Sequence, residues 1–408
     1  MSFMSRLPRP KAMSSHELSK LITEYFGGGM TSSGIAINSD NAMRMMTVFN
    51  CVRVLYNCVS QMPCQLMQEV DDVKSKAKDF YLYKILSKRP NQWMTAPQFY
   101  GLVIVHICLR GNFYAFISRV NGKIRELLPI HPDRVVEVSQ GEDWSIVYKI
   151  RTPSGAIKDY SADKILHIRG ISYDGFTGLN PIEYARECIA LGKAGEKFLG
   201  SYFGRGMHPG AIIKHTGVLD PQTHANMREA LKQKYAGLNK SQDLMLLEEG
   251  MDIAFPPIKL VDQQFIEEQR FTESQICGMF GVPLMFIQAG DNPETYASAS
   301  EFKRTFVDLT LAPIAVNFET TLDISCLTDT EQDRYYSKFN LNSLLRGNIT
   351  ERYAAYAVGV TNKFLNANEV RGLEDLNPRE GGEIYENPNT SATPTPNPNQ
   401  NSNQGGAR

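Results

Sequence analysis

The sequence predicts an α+β fold: a mixed α/β module, two long helices separated by a small α/β insert, a kinked long helix, and a small helical unit. Three observations carry this. Apolar residues recur at helical spacing over 42–62 and 96–110, then give way to short β-type runs between 112 and 171. Asn180-Pro181 opens a helical pattern of about two dozen residues, roughly 35 Å at 1.5 Å per residue. Pro313 lies inside another helical pattern without ending it.

The length of 408 residues suggests two or three domains, and 42% hydrophobic with 21% charged residues is an ordinary soluble composition. No apolar run approaches the ~20 residues of a membrane-spanning helix. The segment carrying Arg6, Arg9 and Lys11 is not followed by a signal-peptide core, so a cytosolic protein is expected. Seven cysteines, an odd number without a CxxC pair, argue against a disulfide framework. Cys51, Cys58 and Cys64 come nearest to a cluster. Cys51, Val54, Leu55 and Cys58 follow helical spacing, and no histidine is near enough to complete a zinc site, so buried thiols are expected and no metal. The formal net charge of −1 leaves no basic stripe, so any nucleic acid should be handled without being gripped.

In the 42–62 pattern, Met45, Val48, Cys51, Val52 and Leu55 share a face, and Pro63 closes it. The 96–110 helix carries Phe99, Leu102, Val103, His106 and Ile107 on one side, where His106 reads as a hydrogen-bonded core residue. Strands follow at 113–120 and 124–130 around an Asn121-Gly122 hairpin turn, then at 135–138, 145–150 and 165–168. Asn180 as N-cap, Pro181 at N1 and Glu183 as capping-box partner mark the first long helix. The insert holds a strand at 211–214, a helix from Asp220-Pro221 to Gly237, and strands at 243–247 and 251–255. A second long helix covers 263–280 and stops at Gly281-Val282-Pro283. A polar loop at 289–296 precedes the kinked helix, 297 to about 322, with Phe302, Phe306 and Leu309 on one face. A strand pair near Ser325 and 338–341 follows, then two short helices capped by Thr350 and by Asn366 with Glu369. From 387 to the end no large apolar residue occurs, so disorder is expected there.

The usual catalytic patterns GxxxxGK[ST], GxSxG and HExxH are absent from the sequence. Gly27 to Gly34 is glycine-rich but follows no predicted strand, which disfavours a phosphate cradle. Glu267, Glu268 and Glu273 read as a solvated acidic surface and His215 and His224 as solvent-facing residues. An enzyme reading would place a hydrolase or transferase site between the β module and the long helix, using His167, Arg169 and Asp174.

The order of elements, together with Gly178-Leu179-Asn180-Pro181-Ile182-Glu183, Phe203-Gly204-Arg205-Gly206 with Pro209-Gly210, Phe280-Gly281-Val282-Pro283, and Asn366-Ala367-Asn368-Glu369-Val370-Arg371 with Leu376-Asn377-Pro378, resembles the HK97-type portal proteins of tailed phages. The likeness covers roughly residues 33–382. It implies a portal fold: a flexible arm (1–32), a wing (33–178), stem helices (179–203 and 261–283) around a clip (204–260), a tunnel loop (284–300), the kinked helix returning to the wing (301–346), a crown (347–382) and a disordered tail (383–408).

The implied protein is no enzyme and has no cofactor. It is a subunit of a ring, twelvefold in such portals, at the capsid vertex, through which double-stranded DNA is packaged and ejected without sequence specificity. Its implied partners are the large terminase subunit, the head-tail adaptor and the major capsid protein, with no membrane. The tunnel loop would present Asp291, Asn292, Glu294, Thr295, Tyr296, Ser298 and Ser300 to DNA. The stem would turn Glu267, Glu268, Arg270 and Glu273 to the channel, and the clip would meet partners through Arg228, Lys232, Lys234 and Lys240. Lys303 or Arg304 is expected to pair with Glu301 or with a neighbouring subunit. A channel that conducts a polyanion should not trap it through released counterions, and an acidic or small polar loop fits that requirement. A different phage structural protein, an adaptor or minor capsid component, is disfavoured by size and by the double helix-with-insert layout.

Overall fold

The computed structural model describes residues 31–204, 212–215, 220–222, 225–226, 229, 251–254, 261–287, 296–344, 349–374 and 376–385. They divide into two units, Met1–Leu341 and Asn342–Arg408. In the first unit, α1 (Ser39–Ala42) and α2 (Met46–Ser60) replace the single predicted helix, and α2 buries Val48, Cys51, Val52, Leu55 and Val59. Two strands that the sequence did not announce follow, β1 (Cys64–Val70) and β2 (Val73–Lys76), then a short helix α3 (Tyr81–Ser87). Helix α4 (Ala96–Arg110) starts on a Thr95–Gln98 capping box and ends at Gly111, whose φ of 75° is the left-handed turn glycine adopts freely.

The strands β3 (Asn112–Val120), β4 (Lys123–Ile130), β5 (Val135–Gln140), β6 (Ile146–Arg151), β7 (Ile157–Ser161) and β8 (Ile165–Arg169) form two three-stranded sheets, ordered β4-β3-β8 and β5-β6-β7. The β3–β4 hairpin turns at Asn121-Gly122, both with positive φ, as its sequence predicts. Tyr114, Tyr148, Ile150 and Ile165 form an apolar core shared by the two sheets.

Past the sheets come a four-residue helix α5 (Pro181–Tyr184) and the long helix α6 (Arg186–Gly204). The predicted continuous helix is therefore broken at Ala185. Asn180 caps α5 through Ile182 N–H, and Glu183 lies 3.4 Å from Arg186 as an ion pair instead of closing a capping box. In the insert, β9 (Ile212–His215) pairs antiparallel with β10 (Met251–Ala254); the predicted strand at 243–247 lies outside the described residues. Helix α7 (Val261–Phe280) is the second long helix.

The third long helical run consists of α8 (Tyr296–Phe306), a π-helical turn (Val307–Leu311) and α9 (Ala312–Cys326). Pro313 lacks an N–H and its ring crowds the preceding turn. The widened ladder, in which Ala312 N–H reaches Val307 O, lies immediately before it, and the helix continues through.

Ser325, expected in a strand, is helical; a short helix α10 (Asp329–Gln332) intervenes, and β11 (Tyr335–Phe339) pairs with β1 from the start of the unit, in the order β11-β1-β2. Helix α9 is tied to β11 by Glu319, a buried carboxylate that accepts from Phe339 N–H at 2.7 Å and from Lys338 Nζ at 3.0 Å. An aromatic core stands above this joint: Phe99 meets Phe113 edge-on at 5.3 Å, Tyr100 meets Phe339 at 4.9 Å, and Phe318 meets Phe339 at 6.1 Å. Each such ring is stabilised by about 1.5–3 kcal/mol of burial.

The second unit contains α11 (Ile349–Thr361) and α12 (Ala367–Leu373). Thr350 lies within α11 instead of capping it, whereas Asn366 and Glu369 form the predicted capping box of α12. Arg352 Nε, 2.7 Å from Glu374 Oε1, and Tyr356 Oη, donating to the same oxygen at 2.9 Å, join the two helices.

Candidate functional site

The long helices are launched from a crossing of two backbone segments. Gly111 and Gly178 approach so closely that a Cβ on Gly111 would lie 1.9 Å from Leu179 O, and one on Gly178 would lie 2.1 Å from Gly111 O. Asn112 reads both polar atoms of Gly178: its Oδ1 accepts from Gly178 N–H at 2.7 Å, and its Nδ2 donates to Gly178 O at 2.7 Å. With Oδ1 fixed as acceptor, His167 must donate from Nε2 at 2.9 Å, leaving Nδ1 to accept from Tyr148 Oη at 3.1 Å. Burial, reinforced by the Arg169 charge, pushes His167 down to about 3.

That crossing uses the residues an enzyme reading would need. His167 is a neutral structural imidazole, and Arg169 donates to Gly175 O. Desolvation opposes ionisation of Asp174, but the hydrogen bonds it accepts from Phe176 N–H, Thr177 N–H and the Ser172 and Thr177 hydroxyls together outweigh that cost and hold its carboxyl below the usual range. Arg169 lines an open apolar groove of about 630 Å3, but neither His167 nor Asp174 does. His106 is buried, as its apolar helix face predicted, but among the described residues its Nδ1 has no hydrogen-bond partner. Burial and the neighbouring His131 push it down to about 4. Among the described residues no group of three or more His, Cys, Asp or Glu is placed to hold a metal ion, and no helix is long and apolar enough to cross a membrane.

Helices α6 and α7 pack side by side and antiparallel, since Cys188 faces Thr272 and Gln275, Gly192 faces Thr272, and Gly195 faces Gln269. Gly192 permits the close approach: a Cβ there would stand 2.4 Å from Met45 Cε and 3.2 Å from Thr272 Cγ2. Cys51 on α2 and Cys277 on α7 bring their sulfurs to 3.9 Å, so α7 is also seated on the first module. On α7, Glu267, Glu268 and Arg270 are exposed and Glu273 is half-buried. Burial raises the Glu196 carboxyl above its usual value, and Glu273 across the helix pair adds to the rise. The sequence could not show that α6 contributes a carboxylate to this surface, because only the pairing brings Glu196 and Glu273 near one another.

After α7 the chain has a fixed base on both sides of the polar segment. Gly281, with φ 65°, offers its carbonyl to Thr310 Oγ1 at 2.8 Å, and Phe286 meets Phe306 edge-on at 5.3 Å. The flanks of residues 288–295 are thus held to the same helix, and the π-turn supplies Thr310.

Asp291, Asn292, Glu294 and Thr295 lie outside the described residues, as do Arg228, Lys232, Lys234 and Lys240. Tyr296, Ser298 and Ser300 fall on α8 instead of a loop, so a loop spanning 284–300 is too long by its last five residues; Leu284–Phe286 is itself a 3-10 turn. Arg304 pairs with Asp308 at 3.7 Å, four residues ahead, and not with Glu301. Lys303 is exposed and close enough to Cys58 to favour its thiolate, against the burial that raises that thiol.

The comparisons with known proteins agree on one family. Residues 46–375 match the family described as phage portal protein. The portal protein of Enterobacteria phage HK97 is 25% identical over 355 residues, covering 86% of this chain and 82% of that protein. The probable portal protein of Streptomyces phage phiC31 is 24% identical over 380 residues, covering 89% and 82%. The fold is shared with a chain in the neck of a native gene transfer agent particle solved with C12 symmetry, at a TM-score of 0.54 and 22% identity, covering 88% of this chain and 99% of that one.

Proposed function

The chain belongs to the phage portal protein family, and on that premise we propose that it is a subunit of the ring that connects head to tail at the portal vertex of a tailed-phage capsid. Twelve copies would surround a channel through which double-stranded DNA enters during packaging and leaves during ejection. The family match over residues 46–375, nearly the whole described chain, is the observation that carries this reading. The C12 symmetry of the related neck particle supports the copy number. Exposed apolar side chains support extensive subunit contacts: Leu309 and Ile324 on the kinked helical run are 74% and 73% exposed, and Phe271 on α7 is 64% exposed.

Residues 33–178 serve as the wing, α6 and α7 as the stem, 204–260 as the clip and 347–382 as the crown. The large terminase subunit docks on the clip first and the head-tail adaptor later, while the major capsid protein surrounds the ring. Assembly takes place in the host cytoplasm. No chemical step is assigned to the chain; the energy for packaging comes from the terminase.

The loop carrying Asp291 and Glu294 faces DNA in this reading. Its short, locally anchored base and its acidic, small polar composition suit a collar that stays near a polyanion without binding it. Asp291→Lys together with Glu294→Lys is expected to leave rings intact in negative-stain images and to slow or stall DNA packaging. Unimpaired packaging refutes the loop assignment, and a stable monomer or dimer without a central hole refutes the ring.

A further inference from the structure

We propose that Cys51 and Cys277 are a latent disulfide, open as two thiols until a small hydroperoxide closes it, and that closing it fastens α7 to α2. The two residues are 226 positions apart in sequence, yet α2 and α7 pack so that their sulfurs stand 3.9 Å apart. A disulfide needs about 2.05 Å, so each sulfur has about 1 Å to travel, within reach of a small side-chain rotation. Cys51 is 0% and Cys277 2% exposed. Burial this complete shuts out bulky disulfides and foreign thiols, and leaves the neighbouring sulfur as the natural partner. A small oxidant has a short way in. The open apolar groove is lined by Leu55, one turn past Cys51 on α2, and by Met279 and Phe280, two and three residues past Cys277 on α7.

The pair is also polarised. The Cys51 S–H donates to Cys277 Sγ, and this hydrogen bond holds the Cys277 thiol below its ordinary value against the opposing effects of burial and of Glu273. Cys277 is therefore the nucleophile and Cys51 the resolving thiol. In the first step the Cys277 sulfur attacks one oxygen of hydrogen peroxide. The O–O bond breaks, and the second oxygen leaves as water with the thiol proton, giving the sulfenic acid of Cys277. In the second step the Cys51 sulfur attacks Cys277 Sγ. The S–O bond breaks, and the hydroxyl leaves as water with the Cys51 proton. Two thiols lose two hydrogens and two electrons, and one peroxide is reduced to two waters. In a glutathione-rich compartment the pair stays open; where peroxide outruns thiol reductants it closes. The closed bond pins α7, which runs to Gly281 and the polar segment beyond, to the first module. The inference does not rest on the channel reading.

The test exposes the native full-length protein to excess hydrogen peroxide, unfolds it, alkylates the remaining thiols and maps its peptides by mass spectrometry without reductant. A linked peptide pair carrying Cys51 and Cys277, two hydrogens lighter than the sum of its parts and released by dithiothreitol, is expected. Cys51→Ala leaves the sulfenic acid unresolved, so peroxide should carry Cys277 on to the sulfinic acid, which dithiothreitol does not reverse, about tenfold or more above wild type. The wild-type map decides the matter by itself if the variant folds poorly. Both thiols still fully alkylated after the treatment, Cys277 linked to a different cysteine, or a folded Cys51→Ala protein with no more sulfinic acid than wild type would each overturn the proposal.

Discussion

Acid should weaken the first module in a way that one substitution removes. His167 is held neutral by the Asn112–Gly178 crossing and by Tyr148, and burial sets it at about 3, against an ordinary value of 6.5. A histidine whose folded value is depressed contributes no penalty above about pH 6.5, where both states are neutral. As pH falls below 6.5, the unfolded chain takes up a proton that the folded chain refuses, and stability drops until pH reaches the folded value near 3. Between pH 7 and pH 4.5 the loss is about 2.5 kcal/mol, from ~1.36 kcal/mol per pH unit. His106, set at about 4 by burial and by His131, adds a slightly smaller loss over the same range. The assay is a series of urea unfolding curves of the subunit from pH 7 to pH 4.5. His167→Gln retains a donor toward Asn112 but cannot titrate; it should cost about 1 kcal/mol at pH 7 and flatten the acid slope by about 2.5 kcal/mol. Parallel slopes for wild type and variant would show that this imidazole is not held neutral and would refute the assignment of its hydrogen bonds.

Gly111→Ala puts a methyl group against Leu179 O at a residue with φ 75°, so a loss of more than about 2 kcal/mol is expected in the same unfolding assay. Glu319→Ala leaves the Phe339 N–H buried without an acceptor and should cost about 2–4 kcal/mol, whereas Glu319→Gln, which keeps an acceptor, should cost less than half of that. Asn180→Ala removes the cap on Ile182 N–H and should lower stability by about 1 kcal/mol, with the effect visible as faster amide exchange in 181–184.

Elements whose periodicity or punctuation is local were legible in the sequence. The Asn121-Gly122 hairpin, the Asn366–Glu369 box and the helices around Phe99 and Val261 follow from residues within a few positions of one another. The strands β1 and β2 were not. Leu66 is buried, but Gln65, Gln68 and Glu69 leave β1 without a clear alternation, and every residue of β2 is exposed. The extended state of β1 is imposed by pairing with β11 from the other end of the unit, which no local window contains, and β2 pairs in turn with β1. The strand expected at Ser325 failed for the converse reason: Ile324 and Ser325 have no strong helical preference, but α9 is held through Glu319 and Asp323 until Cys326. Of the site, the sequence supplied the two long helices and the position of the polar segment. It could not supply the Glu196–Glu273 proximity or the Thr310–Gly281 anchor, which exist only after the helices pair and the π-turn forms.

The pairing of Arg304 shows how one backbone irregularity sets local electrostatics. Glu301 and Asp308 are both within helical reach of Arg304 by residue count, and Glu301, on the N-terminal side, is the better-placed partner in a regular helix. The π-turn begins at Val307 and rotates everything beyond it, bringing Asp308 to 3.7 Å. Both partners are well exposed, so the bond itself adds little stability. Its effect is on charge. Segment 291–308 holds Asp291, Glu294, Glu301 and Asp308 against Lys303 and Arg304, four carboxylates to two cations, a net of −2. With Arg304 matched on its own helix, the cationic end of α8 is offset from within. The proposed DNA-facing segment then presents carboxylates in excess without needing a neighbouring subunit to neutralise it. Twelve copies would form a ring of negative charge, weakest in its action at high salt, where a screening length of about 3 Å at 1 M confines it to contact range.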